Sequence, residues 1–426
     1  MIQIKNAQGD NTMHRLTVMV AAVLLIFSGT PVQAAEKGKK KPLPQYWMSV
    51  ETQNTTIPGM SSQEMGGLEG MIIGKMTGMG GARRGLILQL VSPKATPPDP
   101  EATHDIPPGQ KMGNTLPLLI PEKAKPARED EAEEPTYEKP KFRMLMYWGC
   151  SETVRPGQPK VLDTEKMSMG DFGRAMAART GSRQYPPSPR AGWTYADWPN
   201  REHRKEIPKD SSLQGEHFVH GNYSPDIKFT VGEKHDFMAP VEFTSVTGGT
   251  NDSVRFSWKK IPTALGYFAM AIGQNEKTGE TIIWSSSEVQ EPGYGLMGYL
   301  TPFDVAKFIK EKVVMRPDVT NCAVPKGIFK DTGGAALQFI GYGDELNIAW
   351  PPKPKDPKIP HEYVWAMKLR NKSTGMLPLG QDSGSEDQDS SSEPKRDDRP
   401  ADADKGGEAP EEKKGGLDKL RGIFGF

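Results

Sequence analysis

The chain has 426 residues, of which 35% are hydrophobic and 25% are charged, and it is rich in glycine (45) and proline (38). Long stretches of such a chain lack the apolar side chains needed to build a core, so we expect fewer domains than the length alone would allow. The 54 basic residues balance the 54 acidic ones. The chain as a whole therefore has no net charge that would attract nucleic acid, and no nucleic-acid partner is expected.

Residues 1–35 have the features of a cleaved export signal. Leu16–Phe27 is a mostly apolar run that follows the basic pair His14-Arg15, and Val32-Gln33-Ala34 provides a small-residue cleavage site. A helix of this length spans about 18 Å, whereas the hydrocarbon core of a bilayer is about 30 Å thick. We expect cleavage after Ala34 or Ala35 and a periplasmic or secreted protein, with a membrane anchor as the alternative.

Cys150 and Cys322 are the two cysteines of the chain. In an exported protein, two cysteines most simply form one disulfide. Neither cysteine has histidines at zinc-ligand spacing, so we predict a disulfide and no zinc site.

Residues 36–84 form a Gly/Met-rich N-terminal region in which Gln45–Ile57 is a weakly alternating candidate strand. Its tract Gly59–Gly81 carries five methionines, whose thioethers are ligands that Cu(I) prefers. A flexible low-complexity loop is the alternative, and the irregular spacing favours it. We therefore predict no metal ligand and no cofactor, and keep copper handling as a second hypothesis.

Residues 85–239 are predicted to form a β-rich region interrupted by a Pro-rich, acidic linker, 93–141. Leu86–Val91 and Phe142–Cys150 are apolar enough to be buried strands, and Leu116–Ile120 is a candidate edge strand. Ser168–Arg179 is predicted to be a helix, because Ser168 and Asp171 make a capping-box-like start.

Tyr185–Pro199 is aromatic and proline-rich, and we expect it to be a loop. Its side chains Trp193, Tyr195 and Trp198 are candidate binding residues, because exposed rings stack on sugars or peptides. Packing against a sheet is the alternative and is the commoner outcome for such a loop.

The histidines provide no clear metal or catalytic site. His217 and His220 lie in a strand-like segment, His217–Thr230, where positions three apart point to opposite faces. The adjacent pairs His104-Asp105 and His235-Asp236 are expected at loop edges, where turn formation explains them.

Residues 240–374 show the regular alternation of strands and turns that is typical of a β-sandwich. The predicted strands are Val241–Val246, Ser253–Trp258, Tyr267–Gly273, Thr281–Ser286, Asn321–Val324, Ala336–Tyr342, Leu346–Trp350 and Tyr363–Lys372. A hairpin turn is predicted at Glu276–Gly279. Thr301–Val314 is predicted to be a helix with Thr301 as its N-cap and Pro302 at its first position.

The segment SVRFSWKKIPTALGY resembles the fibronectin type III pattern, in which a strand tryptophan is followed by proline and an Ala-x-Gly-Tyr entry to the next strand. The matching residues are Trp258, Pro262, Ala264, Gly266 and Tyr267. The resemblance implies a mainly β protein with an antiparallel, fibronectin type III or immunoglobulin-like β-sandwich, in which Trp258 and Tyr267 are core residues. The inserted helix departs from that pattern, and a second, smaller β-rich region is expected in addition to the sandwich.

The body of the chain is also similar to an uncharacterised family of exported Gram-negative bacterial proteins. The resemblance rests on the segments YWGCSETVRPGQPK (Tyr147–Lys160), GWTYADWPN (Gly192–Asn200), TGETIIWSSSEV (Thr278–Val289) and CAVPKGIF (Cys322–Phe329). It implies a compartment and an architecture, and it implies no chemistry.

Residues 380–416 form a polar, mixed-charge tail that we expect to be disordered. The tail ends in an apolar hook, 417–426, which is the second candidate binding segment. Its apolar positions are Leu417, Leu420, Ile423, Phe424 and Phe426. Such a hook is expected to fold onto a partner, a membrane surface or the protein itself, with fraying in solution as the alternative.

The sequence contains no nucleophile elbow, phosphate-binding loop, zinc-protease motif or dinucleotide fingerprint. We therefore expect an exported, non-enzymatic binding or structural protein of the cell envelope, with an envelope protein or a glycan as its partner. Membrane contact is expected only through the hook, and the oligomeric state is not predicted. A hydrolase whose site is assembled from distant residues is the third hypothesis.

Overall fold

The computed structural model describes residues 41–56, 81–122, 142–182 and 185–380. All of these residues except 41 and 42 belong to one compact unit, Leu43–Phe426. The described part is mainly β, with sixteen strands and two α-helices. The strands are β1 Gln45–Thr55, β2 Gly81–Ser92, β3 Ala102–Asp105, β4 Thr115–Pro117, β5 Arg143–Trp148, β6 Lys160–Asp163, β7 Thr194–Trp198, β8 Gly215–Gly221, β9 Ile227–Val231, β10 Phe243–Thr247, β11 Val254–Trp258, β12 Gly266–Asn275, β13 Thr281–Ser285, β14 Asn321–Val324, β15 Thr332–Trp350 and β16 Trp365–Leu379. The helices are α1 Met169–Ala175 and α2 Pro302–Lys310.

The strands form three sheets. The largest has nine strands in the order β6-β5-β13-β12-β15-β16-β1-β2-β7, and it combines strands from both sides of residue 240. Its pairs β1–β16 and β5–β13 are parallel, and the others are antiparallel. The smaller sheets have the orders β4-β3-β8-β9 and β10-β11-β14.

Each small sheet shares a hydrophobic cluster with a different part of the nine-stranded sheet. The four-stranded sheet packs on β1, β2 and the first half of β16, with Tyr46 and Leu369 fully buried between them. The three-stranded sheet packs on β12, β15 and the end of β16. A third cluster lies between α2 and the other face of β12 and β15, where Phe268 and Phe308 are buried.

The chain that connects the two small sheets is held to the nine-stranded sheet by buried polar side chains. Carbonyl groups within Asp236–Val241 accept hydrogen bonds of 2.6–3.0 Å from Thr52, Asn54, Asn371 and Ser373. These donors lie on β1 and β16, between the first and second hydrophobic clusters. Two of the acceptor residues, Met238 and Val241, are buried, so these bonds provide partners for main-chain acceptors removed from water.

Both predicted helices begin where the sequence places them and end earlier. The hydroxyl groups of Ser168 and Thr301 accept hydrogen bonds from the third residue of each helix, as expected for N-caps. The end of α2 at Lys310 is explained by Lys312, whose left-handed φ of 60° lets the Val313 N–H reach the carbonyl of Phe308 at 2.9 Å. The prediction of a helix continuing to Val314 was therefore wrong.

α1 ends at Ala175, whereas the prediction extended to Arg179. Arg179 instead contacts Glu291, both through its main-chain N–H and through an ion pair of 3.1 Å. Its guanidinium also contacts Glu311, at 3.0 Å. These long-range contacts draw the chain away from the helix axis.

Two strand predictions need correction. Tyr185–Pro199 was expected to be a loop, but its end forms β7, which pairs with β2 at the edge of the large sheet. Ala336–Tyr342 and Leu346–Trp350 were expected to be separate strands, but they are parts of β15, which stays continuous through an irregularity between Tyr342 and Glu345.

The predicted core residues and the predicted cysteine pair are confirmed. Trp258 is 2% exposed and Tyr267 is fully buried, with an edge-to-face contact of 5.6 Å between their ring centroids. A disulfide joins Cys150 to Cys322 over 172 residues. Cys150 follows β5 of the nine-stranded sheet, and Cys322 lies in β14, so the bond links that sheet to the three-stranded one.

Candidate functional site

An interruption in strand pairing lies along the outer edge of β2. This strand pairs with β1 from Gly81 to Val91, but it pairs with β7 only from Leu88 to Ser92. Among the described residues, the outer side of Gly81–Ile87 has one partner, an isolated bridge between Arg84 and Ile207. Gly85–Ile87 lie between that bridge and the end of β7. Main-chain groups alternate between the two sides of a strand, and those of Gly85–Ile87 that point away from β1 pair with no described strand.

The interruption opens into a cavity of about 550 Å³, which we call the edge cleft. One wall is the β2 segment Ala82–Ile87, and a second is the end of β7 with Trp198 and Pro199. The third wall is the loop between β7 and β8. The loop residues that line it are Lys205, Glu206, Ile207 and Lys209. The volume is typical of a site for a small ligand or for part of a larger one.

The edge cleft is basic. Arg83, Arg84, Lys205 and Lys209 line it together with one carboxylate, that of Glu206. The chain as a whole is neutral, so four lining cations against one lining anion are a local excess of positive charge. The excess remains when the nearby carboxylates Asp210 and Asp236 are counted. Such a concave surface attracts and concentrates anionic groups.

Arg84 is held in a defined position at the floor of the edge cleft. Its guanidinium lies 4.8 Å from the ring centroid of Phe237, a residue of the first hydrophobic cluster. Burial lowers the pKa of Arg84, and the nearby carboxylates Asp236 and Asp210 oppose that shift. An anion bound here would meet a cation that is already partly desolvated and fixed in place.

The predicted aromatic binding residues lie on and beside the strand that bounds the edge cleft. Tyr195 is 8% exposed and Trp198 is 2% exposed on β7, and Trp198 lines the cleft. The Trp198 Nε1–H has no hydrogen-bond partner among the described residues. Trp193 is half-buried, with the Arg190 guanidinium 5.2 Å from its ring. Their role in binding stays a prediction.

Two other predicted segments lie outside the described residues. They are the apolar hook, 417–426, with its five apolar positions, and the methionine tract apart from its last residue, Gly81. In the part of the chain that the structure describes, no three histidine, cysteine, aspartate or glutamate side chains are grouped as a metal site requires.

A second polar feature is a buried chain of hydrogen bonds between three rings. The Tyr46 hydroxyl lies 2.8 Å from His104 Nδ1, His104 Nε2 lies 2.9 Å from His217 Nδ1, and His217 Nε2 lies 2.7 Å from the carbonyl of Leu213. His217 also stacks on Phe229, with ring centroids 5.0 Å apart. All three members are at most 2% exposed.

The Leu213 carbonyl determines the direction of this chain, because a carbonyl only accepts. His217 must donate from Nε2, so its Nδ1 accepts from His104 Nε2, and His104 Nδ1 accepts from the Tyr46 hydroxyl. Desolvation lowers the pKa of both histidines, with the neighbouring His217 adding to the effect on His104. Both rings are therefore neutral, and each ring nitrogen and the Tyr46 hydroxyl have a hydrogen-bond partner.

The histidine chain lies away from two surface cavities. It lines neither the edge cleft nor a second, open cavity of about 580 Å³ beside α1. His104 and Asp105 are the last two residues of β3, so they lie at a loop edge as expected. The expectation that turn formation explains them was wrong for His104, which is buried in the hydrogen-bond chain. The strand assignment for His217 and His220 is confirmed: both lie on β8, where His217 is buried and His220 faces Asp105 at 3.3 Å.

Sequence reasoning missed the edge cleft because its cations come from two segments about 120 residues apart. The available signals were the pair Arg83-Arg84 before a predicted strand and the basic run between Arg201 and Lys209. Strand pairing brings them together, and that pairing has no short-range signature.

No described helix is long and apolar enough to cross a membrane. Comparison with known proteins adds no family to these observations: the sequence matches no protein-family model and no curated protein.

Proposed function

We propose that this chain is a non-enzymatic binding protein of the cell envelope, and that its edge cleft receives an acidic, extended segment of a partner protein. The observation that carries the proposal is the coincidence of four cations with the interrupted outer edge of β2. A single surface there provides both charge and main-chain hydrogen-bonding groups.

The combination of cationic side chains and main-chain hydrogen-bonding groups favours a polypeptide as the ligand. The cations Arg83, Lys205 and Lys209 would pair with carboxylates, and the Arg83 guanidinium would offer the stronger, two-point contact. The outward main-chain groups of Gly85–Ile87 include both donors and acceptors, and an extended peptide supplies the complement of each. An inorganic anion has acceptors alone, so it would use only part of the site.

The cell-envelope location rests on the sequence. Residues 1–35 supply the charged, apolar and small-residue parts of an export signal, and the Cys150–Cys322 disulfide is compatible with an oxidising compartment. Exposure to other envelope proteins would follow from that location.

The finer fold assignment is also a proposal. We infer that β10, β11 and β14 and the strands they cover form a sandwich related to the fibronectin type III and immunoglobulin folds. The packing of Trp258 against Tyr267 supports it, because both residues belong to the motif that carries the resemblance. The long β15–β16 hairpin would then be the element that extends this sandwich into the nine-stranded sheet.

Binding of a designed peptide tests the proposed function. A fluorescein-labelled peptide of alternating glutamate and valine should bind the full chain, and fluorescence anisotropy should detect it. The Arg83→Glu/Lys205→Glu variant should bind at least about tenfold more weakly, since each lost charge-assisted hydrogen bond costs about 1.5 kcal/mol or more. Equal affinity of the two proteins would contradict the proposal.

Two controls separate peptide recognition from nonspecific attraction. Lys260→Glu reverses an exposed charge outside the edge cleft and should leave the affinity unchanged. A peptide with the same sequence but N-methylated main-chain amides keeps the carboxylates and loses its donors. It should bind more weakly than the parent peptide; equal binding would indicate a site for anions in general.

A further inference from the structure

The loop between β15 and β16 ends in a surface that combines exposed apolar side chains with lysines. Four of the eleven exposed large hydrophobic side chains in the described part lie within Trp350–Val364. They are Trp350 (50% exposed), Ile359 (53%), Tyr363 (43%) and Val364 (49%). Isolated exposed apolar residues are ordinary, but a group of four in fifteen residues marks an interaction surface.

This surface, which we call the hairpin tip, is anchored to the hydrophobic core. Trp350 stacks on Trp365 with ring centroids 6.3 Å apart, and Trp365 is 4% exposed within the first hydrophobic cluster. The Val364 N–H donates to the carbonyl of Trp350 at 2.6 Å, and the Ile359 N–H donates to that of Asp356 at 3.2 Å. The exposed side chains are thus presented by a supported loop.

The chemistry of the hairpin tip matches a lipid–water interface. Trp350 and Tyr363 are of the two residue types enriched at the level of the headgroups, where an amphipathic ring has one apolar and one wet side. Ile359 and Val364 would reach the acyl boundary beside them. The exposed lysines Lys353, Lys355 and Lys358 outnumber the two exposed carboxylates of the same loop, Asp356 and Glu362. The lysines would meet anionic headgroups.

The main chain of the hairpin tip is also suited to a region of low polarity. Five of the residues from 351 to 360 are prolines, which have no N–H group. An irregular loop normally suffers in lipid because its N–H groups lose water without gaining a partner. The prolines reduce that cost, and Asp356 already accepts a hydrogen bond from the Lys358 N–H at 2.9 Å.

We propose that the hairpin tip docks on an anionic membrane surface, with Trp350, Ile359, Tyr363 and Val364 inserted into the interface and Lys353, Lys355 and Lys358 paired with lipid phosphates. The chain would then be a peripheral membrane protein that does not need a spanning helix. The edge cleft is lined by none of these residues, so membrane docking and peptide binding fail or succeed independently.

Co-sedimentation with vesicles tests this proposal. The full chain should bind vesicles of phosphatidylethanolamine and phosphatidylglycerol, and it should bind vesicles of phosphatidylcholine alone at least about tenfold more weakly, since each lysine near an anionic surface contributes to affinity. The Ile359→Asp/Val364→Asp variant should lose about tenfold or more on the anionic vesicles. Replacing the three lysines with glutamine should remove the preference for anionic lipid.

The matched control is Phe303→Asp, which introduces a carboxylate at a residue of α2 that is 74% exposed. It should bind vesicles as the unchanged chain does, and circular dichroism should show that every variant is folded. The proposal is overturned if the unchanged chain ignores anionic vesicles, or if the Ile359→Asp/Val364→Asp variant binds them equally well. Loss of self-association in that variant without a change in vesicle binding would identify a second copy of the chain as the occupant, and would also overturn it.

Discussion

Burial keeps His104 and His217 uncharged in the folded protein, because desolvation lowers the pKa of both rings. In the unfolded chain both histidines have the ordinary pKa of about 6.5. As the pH falls through that value, the unfolded state binds protons that the folded state does not. Folding stability contributed by the neutral pair is therefore complete above about pH 6.5 and decreases below it.

We predict that the free energy of unfolding decreases as the pH falls below about 6.5, with a slope that approaches about 1.4 kcal/mol per pH unit for each of the two histidines as the unfolded chain becomes fully protonated. Urea unfolding at a series of pH values measures this slope. His220→Gln is the matched control, because His220 is 40% exposed on the same strand, and it should keep the slope. A free energy of unfolding that is constant across this range would contradict the conclusion that both buried rings stay neutral in the folded protein.

The structural role of a single residue could be predicted where it depends on neighbours in the sequence. Ser168 and Thr301 cap helices because a hydroxyl and the N–H three residues later are neighbours in sequence. The histidine chain was not predictable, because His104 and His217 are 113 residues apart. Nothing in either local segment indicates that the two rings share a proton.

At the scale of elements, the length of β15 depends on Gly343. A Cβ atom at this position would lie 1.6 Å from Asn371 Oδ1 and 2.8 Å from Met238 Sδ. Asn371 is itself fixed, because its Nδ2 donates to the carbonyl of Asp236 at 3.0 Å. Glycine at this point lets the connection between the small sheets cross over the hairpin while the strand continues.

We predict that Gly343→Ala destabilises the protein by about 1–3 kcal/mol, the usual cost of forcing extra volume into a packed site. Gly173→Ala is the matched control: a Cβ there meets nothing within 4 Å, and alanine favours a helix such as α1. Urea unfolding compares the two. Equal stability of both variants would show that Asn371 and the crossing segment move aside without cost.

The sequence predicted the type of most strands and helices correctly, but it did not predict their lengths. Alternating apolar residues identified β11, because its side-chain burial has a period of two. Apolar runs bounded by turn residues identified β12 and β13, which are buried on both faces. Neither pattern identified β7, whose aromatic and proline-rich sequence is typical of a loop. The prediction also divided β15 at Gly343, since a glycine-containing irregularity looks like a turn when the partner strand is unknown.

At the scale of the molecule, the arrangement of the sheets was not accessible to sequence reasoning. β1 and β16 pair in parallel although more than 300 residues separate them, and the nine-stranded sheet depends on that pair. β2 pairs with the other side of β1, and its own outer edge pairs with β7 only from Leu88 to Ser92. The edge cleft is therefore a property of the assembled sheet, while the cysteine pair could be predicted because its chemistry needs only two residues and an oxidising compartment.

Site-specific photo-crosslinking tests the central claim most directly. A benzoylphenylalanine at position 87, where Ile87 is 50% exposed at the edge cleft, should cross-link an aspartate- and glutamate-rich segment of another envelope protein, identified by mass spectrometry. The same group in place of Val161, which is 41% exposed on β6, should not. Cross-links that are equal at the two positions, or that lead from position 87 to residues 123–141 of this chain, would contradict the claim.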